Sequence, residues 1–195
     1  MENNILTKKF EPVIKLPQNC ILLKKSIYEQ YVGCVTEREE KMITDDNLNN
    51  KIERIVKWIY QSPKRGLLLC GTVGNGKTTM LRALYNVFKN SSYLYTTQTV
   101  YENYRINDAF REHLKSSKIL FLDDLKEEHA IQKNYGESFH PVTDLLEYRY
   151  MKNALTIIST NCTVEELHNA YGDRFYDRLK GMYNIIYYTT PSYRR

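Results

Sequence analysis

Nowhere in the 195 residues do about 18 apolar residues run together, the length a bilayer-spanning helix needs, so no transmembrane helix is expected. The opening residues, MENNILTKKFEP, hold no apolar core and no small-residue cleavage site, which argues against a secretory leader. Cysteine is sparse. Cys20, Cys34, Cys70 and Cys162 do not fall at metal-ligand spacing, so they read as reduced thiols of a cytoplasmic protein and not as a zinc site. Charge of one sign is not abundant: a net +5 permits contact with nucleic acid without arguing for it. Internal repeats and low-complexity tracts are absent. The 17 tyrosines are many, and they read first as core and interface filler.

What is present is a single domain's worth of patterned sequence. Residues 1–46 carry Pro12, Pro17, scattered charge and weak periodicity, and read as an arm or small appendage. Its apolar residues Ile21, Leu22, Leu23 and Tyr28 are the ones expected to dock on the core. From residue 47 the pattern sharpens. Leu48, Ile52, Ile55, Val56 and Ile59 recur at helical spacing over 47–62. Short apolar runs at 66–70, 93–97, 119–122, 155–159 and 184–188 read as strands. Helices are predicted over 77–89, 109–116, 141–153 and 172–181, with Thr163 and Glu166 spaced as a capping box. Polar residues 126–140 read as a loop. Alternating strands and helices predict an α/β fold with a parallel sheet covered on both faces.

The sharpest motif is Gly71-Thr72-Val73-Gly74-Asn75-Gly76-Lys77-Thr78, which fits the P-loop pattern and is followed by Thr79. Glycines let consecutive backbone N–H groups turn inward onto phosphate oxygens, and the following helix aims its positive end at the same anion. Lys77 is expected to reach the β- and γ-phosphates of ATP, and the Thr78 hydroxyl to ligate Mg²⁺. The strand 119–122 runs into two acids. Asp123 is the expected second Mg²⁺ anchor, and Asp124 the group that orients or activates water, unless it caps a turn. Asn161 ends the fourth strand, on the rim where open α/β sheets bind ligands, and reads equally as the start of a turn.

In this order, GTVGNGKTT, LFLDDL, TIISTN, GDRFYDRL and the terminal SYRR resemble the AAA+ ATPases of the DnaC/IstB type, bacterial helicase loaders and transposition helpers. The resemblance covers residues 47–195. It implies a five-stranded parallel sheet in the order 5-1-4-3-2, and the stop at Arg195 implies no C-terminal helical lid domain. It gives Asn161 the sensor 1 position and Arg194 the sensor 2 position. Arg174 and Arg178 match the arginine pair that includes a finger reaching a neighbouring subunit, Arg178 being the better match. The alternative for that pair is a surface ion pair with Asp173 or Asp177; for Arg194 it is a frayed tail. Arg149 is a further candidate for a subunit boundary. Two departures stand out: Lys126 where the family often has glycine, and Asp124 where many AAA+ proteins have the longer glutamate.

The resemblance implies ATP hydrolysis, slow or stimulated by assembly or DNA. The implied partners are copies of the same chain, a replicative helicase or a transposase as client, and single-stranded DNA. Lys126, Lys133, Arg105 and Arg111 are candidate DNA contacts. A small-molecule P-loop kinase is the competing class. ILFLDD followed by STN suits water activation better than transfer to a metabolite.

Overall fold

The computed structural model describes residues 19–37, 46–126, 132–134 and 137–189, the side chains of residue 46 and of 132–134 and 137–139 excepted. Seven helices and seven strands alternate along these residues. They are α1 (Cys20–Thr36), α2 (Asp46–Gln61), β1 (Gly66–Gly71), α3 (Lys77–Phe88), β2 (Ser92–Thr96), α4 (Thr97–Asn103), α5 (Asp108–Ser116), β3 (Ile119–Leu125), β4 (Gln132–Asn134), β5 (Glu137–Phe139), α6 (Pro141–Met151), β6 (Leu155–Thr160), α7 (Val164–Met182) and β7 (Tyr183–Tyr188). Among the described residues, no helix is long and apolar enough to cross a membrane.

The main sheet is all parallel in the order β2-β3-β6-β1-β7. With its five strands counted along the chain and read from the other edge, this is 5-1-4-3-2, as the resemblance implies. Burial explains the composition of the strands. β1 and β6 lie inside the sheet, and GLLLC and LTIIST are buried throughout. Alternate side chains then enter opposite cores. Leu67, Leu69, Phe121 and Ile157 meet α1, α2 and α3, whereas Leu68, Leu120, Leu122 and Ile158 meet α4 to α7. Because the strands run the same way, their carboxyl ends and the loops that follow collect on one rim.

Several local expectations change in the structure. Residues 20–36 form a 17-residue helix, capped by the Asn19 side chain and packed across α3. Leu23 and Ile27 are buried, but Ile21 and Leu22 are exposed, so only part of the expected apolar set docks. Helix α4 lies where no helix is predicted; the Thr96 hydroxyl caps it by accepting from Thr99 N–H at 3.1 Å. The loop expected over 126–140 contains an antiparallel pair, β4 with β5. The helix start expected at the Thr163–Glu166 capping box and the helical stretch expected at 172–181 are both present, run together as α7 from Val164. It breaks at Gly172, whose φ of 81° interrupts the helical path.

Arg149 does not face a boundary. It is fully buried, and its guanidinium donates to the Leu114, Ser117 and Leu155 carbonyls and to the Thr156 hydroxyl, all within 2.9 Å. Those groups lie on α5, the turn before β3, and β6. The charge is retained because a five-donor fork satisfies four acceptors that packing has removed from water.

Candidate functional site

The rim formed by the ends of β1, β3 and β6 carries the motifs. After β1 the chain bends through Gly71 (φ 153°), Gly74 (φ 85°) and Gly76 (φ 87°) before α3 begins at Lys77. A side chain is disfavoured at the second and third of these by backbone strain. At Gly71 space is also lacking: a Cβ there would lie 2.3 Å from the Tyr188 carbonyl oxygen. The turn therefore leaves its backbone amides open at the start of a 12-residue helix, the geometry that receives phosphate.

Lys77 is almost fully buried at the base of this cradle. Its ammonium donates to the Thr72 carbonyl at 2.6 Å and to Asn75 Oδ1 at 3.1 Å. Burial lowers the Lys77 pKa to about 8, partly offset by the nearby Cys70, Asp124 and Asp123. A buried cation held by two neutral oxygens fits an incoming polyanion, which would supply the charge it lacks. Thr79 is buried on the same first turn, while Val73 projects outward at the tip.

β3 supplies the acids. Asp123 Oδ1 accepts from the Thr78 hydroxyl at 3.1 Å and also from the Ser159 hydroxyl. The Thr78–Asp123 pair gathers two hard oxygen donors beside the cradle, the kind Mg²⁺ takes together with phosphate oxygens. Asp124 has a left-handed backbone (φ 63°), and the pairing of β3 with β6 shifts register between Leu122 and Leu125. This conformation is held in place: the Asp124 N–H donates to Ser159 Oγ at 3.0 Å, and its carbonyl accepts from the Thr97 hydroxyl at 2.6 Å. The carboxylate accepts from Asn161 Nδ2 at 3.0 Å, and its other oxygen lies 3.3 Å from Lys126 Nζ. Asn161 therefore meets the second acid directly.

Ser159 is the residue the sequence reading passes over. Its hydroxyl joins Asp123 to the Asp124 backbone, so β6 fixes both acids of β3. The signal was visible only as one of three hydroxyl residues in β6, directly before Thr160-Asn161.

Arg174 and Arg178 lie on α7. Arg174 makes a two-pronged contact with Glu147 of α6, Nε to Oε1 and Nη2 to Oε2 both at 2.7 Å. The partner is neither Asp173 nor Asp177. Arg178 is exposed, with its guanidinium 5.1 Å from the Tyr150 ring centroid. Arg194 lies outside the described residues, as does the Lys133 side chain. Of the other candidate DNA contacts, Arg111 is occupied by Asp108 and by the Tyr104 and Arg105 carbonyls, and Arg105 is half-buried. Among the described residues no cluster of three or more His, Cys, Asp or Glu could hold a metal by itself.

Residues 67–181 match the AAA family, ATPases associated with various cellular activities. The chain is similar to the chromosomal replication initiator protein DnaA of Nostoc sp., at 31% identity over 103 residues, which are 46% of this chain and 22% of that protein. The chain thus spans under a quarter of that relative's length. Among solved structures it is similar to DnaI (TM-score 0.59, 20% identity, 80% of this chain and 89% of that one). It also resembles a candidate primosome component from Streptococcus pyogenes serotype M3 (TM-score 0.62, 17% identity, 92% of this chain and all of that one). At these identities the likeness is one of fold, and it places the resemblance to DnaC-type proteins on the same sheet. The P-loop, the acid-tipped third strand and the match over residues 67–181 make this chain a member of the AAA family of ATPases.

Proposed function

We propose that the chain is an ATP-hydrolysing helicase loader that assembles with copies of itself and remodels a replicative helicase on single-stranded DNA. The observation that carries this reading is the contact between Asn161 and Asp124, 3.0 Å apart beside the Thr78–Asp123 pair. It aims a carboxylate at the rim where a terminal phosphate would lie, which suits activation of water. A kinase would need a second substrate pocket there. The likeness of fold to DnaI and to the primosome-component candidate supports the choice of client.

In this mechanism the loop amides of 71–77 and the Lys77 ammonium bind and orient the β- and γ-phosphates. Thr78 and Asp123 hold Mg²⁺, which when bound neutralises charge on the phosphate oxygens. Ser159 keeps Asp123 in place. Asp124 accepts a hydrogen bond from the attacking water, and Asn161 holds that carboxylate in position. Aspartate is one methylene shorter than glutamate, so turnover is slow until assembly tightens the site. Arg178 completes the neighbouring copy's site, where its charge offsets that developing on the phosphoryl group. Arg174, held by Glu147, instead ties α7 to α6. Arg194 is assigned to the same copy's γ-phosphate.

Hydrolysis and sedimentation measured together, with and without single-stranded DNA, test the reading. ATP-dependent assembly, phosphate release that rises steeply with protein concentration, and ATP-dependent capture of the host's replicative helicase are expected. Phosphate release that is independent of concentration, with no helicase captured, would remove the loader assignment.

A further inference from the structure

Asn75 occupies the one variable P-loop position whose side chain is buried, at 1% exposure. Its carboxamide uses both ends. The oxygen accepts from Lys77 Nζ at 3.1 Å, and the nitrogen donates to the Tyr188 carbonyl at 2.7 Å. Tyr188 is the last residue of β7, the edge strand beside β1. Its ring is held separately, 4.3 Å beneath Lys51 Nζ of α2. The first glycine of the motif belongs to the same arrangement. A Cβ at Gly71 would stand 2.3 Å from the Tyr188 carbonyl oxygen and 2.9 Å from Asn75 Nδ2. A bare Gly71 therefore makes room for the bond between Asn75 and β7 as well as for the turn.

We infer that Asn75 is a positioning residue for ATP: its amide oxygen stages the Lys77 ammonium in the phosphate cradle, and its amide nitrogen clasps that cradle to the end of β7. This inference rests on the reading of Lys77 as the β- and γ-phosphate ligand. Without the oxygen, Lys77 loses the Asn75 acceptor and keeps the Thr72 carbonyl, so the ammonium is less fixed in the cradle. Without the nitrogen, the loop's outer arm loses its tie to the sheet edge. Both losses fall on phosphates that reach Lys77. They do not fall on the base, the ribose or the α-phosphate, which engage neither Lys77 nor the loop amides assigned to the β- and γ-phosphates.

That asymmetry gives the test. ATP and AMP affinities are measured by calorimetric titration with Mg²⁺ for wild type and Asn75→Leu, which keeps the branched outline, though bulkier, and removes both hydrogen bonds. Asn75→Ser, smaller and still polar, is carried through the same titrations in case the leucine variant does not fold. Loss of about tenfold in ATP affinity is expected for Asn75→Leu, the scale of one hydrogen bond to a charged group, with AMP affinity changed less than about twofold. Asn75→Ser should show the same selectivity at smaller amplitude. A parallel fall in ATP and AMP affinity, or unchanged ATP affinity in a folded variant, overturns the inference. Wild-type protein that binds AMP as tightly as ATP overturns the assignment of Lys77, and the inference with it.

Discussion

Replacing Arg149 with methionine should unfold the protein far more readily while leaving every rim residue in place. The guanidinium makes four hydrogen bonds, three to backbone carbonyls that no other side chain is placed to satisfy in the same way. Each hydrogen bond to a charged group contributes about 1.5–3 kcal/mol. The sum is not additive, and removing a buried charge returns part of its desolvation cost, so the net loss is about 3–5 kcal/mol. Against a total of about 5–15 kcal/mol for a folded domain this is a large share. At a urea slope of about 3 kcal/mol/M the midpoint should fall by about 1–2 M. Arg149→Lys should lose at least half as much, because an ammonium cannot span acceptors on both α5 and β6.

The pH dependence is a second check on the same variant. Burial lowers the guanidinium well below its ordinary range, to about 10. A cation with a depressed pKa loses its proton first in the folded state, so its titration raises stability only as pH climbs above about 10; below that the contribution of the charged clamp does not vary with pH. Between pH 6 and 9 it is charged in both states, and the gap between wild type and Arg149→Met should be flat. A midpoint shift below about 0.3 M, or a gap that changes across pH 6–9, would refute the idea of a charged clamp.

Asp124→Asn should retain ATP binding within about twofold and lower kcat by about a hundredfold, the scale of a lost general base, as read by phosphate release. Lys126→Ala releases the second oxygen of Asp124, and single-turnover hydrolysis should rise about two- to fivefold, since an exposed pair holds by under about 1 kcal/mol. Arg178→Ala should bind ATP normally and turn over poorly. Mixing it with Lys77→Ala should restore part of the activity, because each copy then supplies what the other lacks; steady-state assays of the mixture decide this.

The sheet was legible because its physics is local. Runs such as GLLLC and LTIIS admit few environments other than a strand buried on both faces, and the strands extend just one residue beyond them. The P-loop was equally clear, since glycine spacing and Lys77-Thr78 serve one chemistry. Helix α1 was not, because its buried face of Leu23, Ile27 and Tyr31 is interleaved with exposed Ile21 and Leu22, which blurs the period. Helix α4 was hidden for another reason: TQTVYEN holds β-branched and polar residues, and it is fixed by the Thr96 cap and by burial of Val100 beneath β3. Arg149 was misplaced because a buried arginine has no sequence mark. Three of its four acceptors are backbone carbonyls 6 to 35 residues away.

The irregular end of β3 has a consequence for how two neighbouring acids can work as one unit. In an extended strand, successive side chains leave on opposite sides, so a carboxylate pair at adjacent positions would be split between the α3 layer and the α4–α7 layer. Leu122 and Leu125 nevertheless enter the same core although they are three positions apart, an odd interval that alternation forbids. The extra step is absorbed at Asp124, and it leaves one acid beneath Thr78 and the other beside Asn161. A glycine in that place would relax the backbone and abolish the second carboxylate, so conformational ease and chemistry make opposite demands on a single residue.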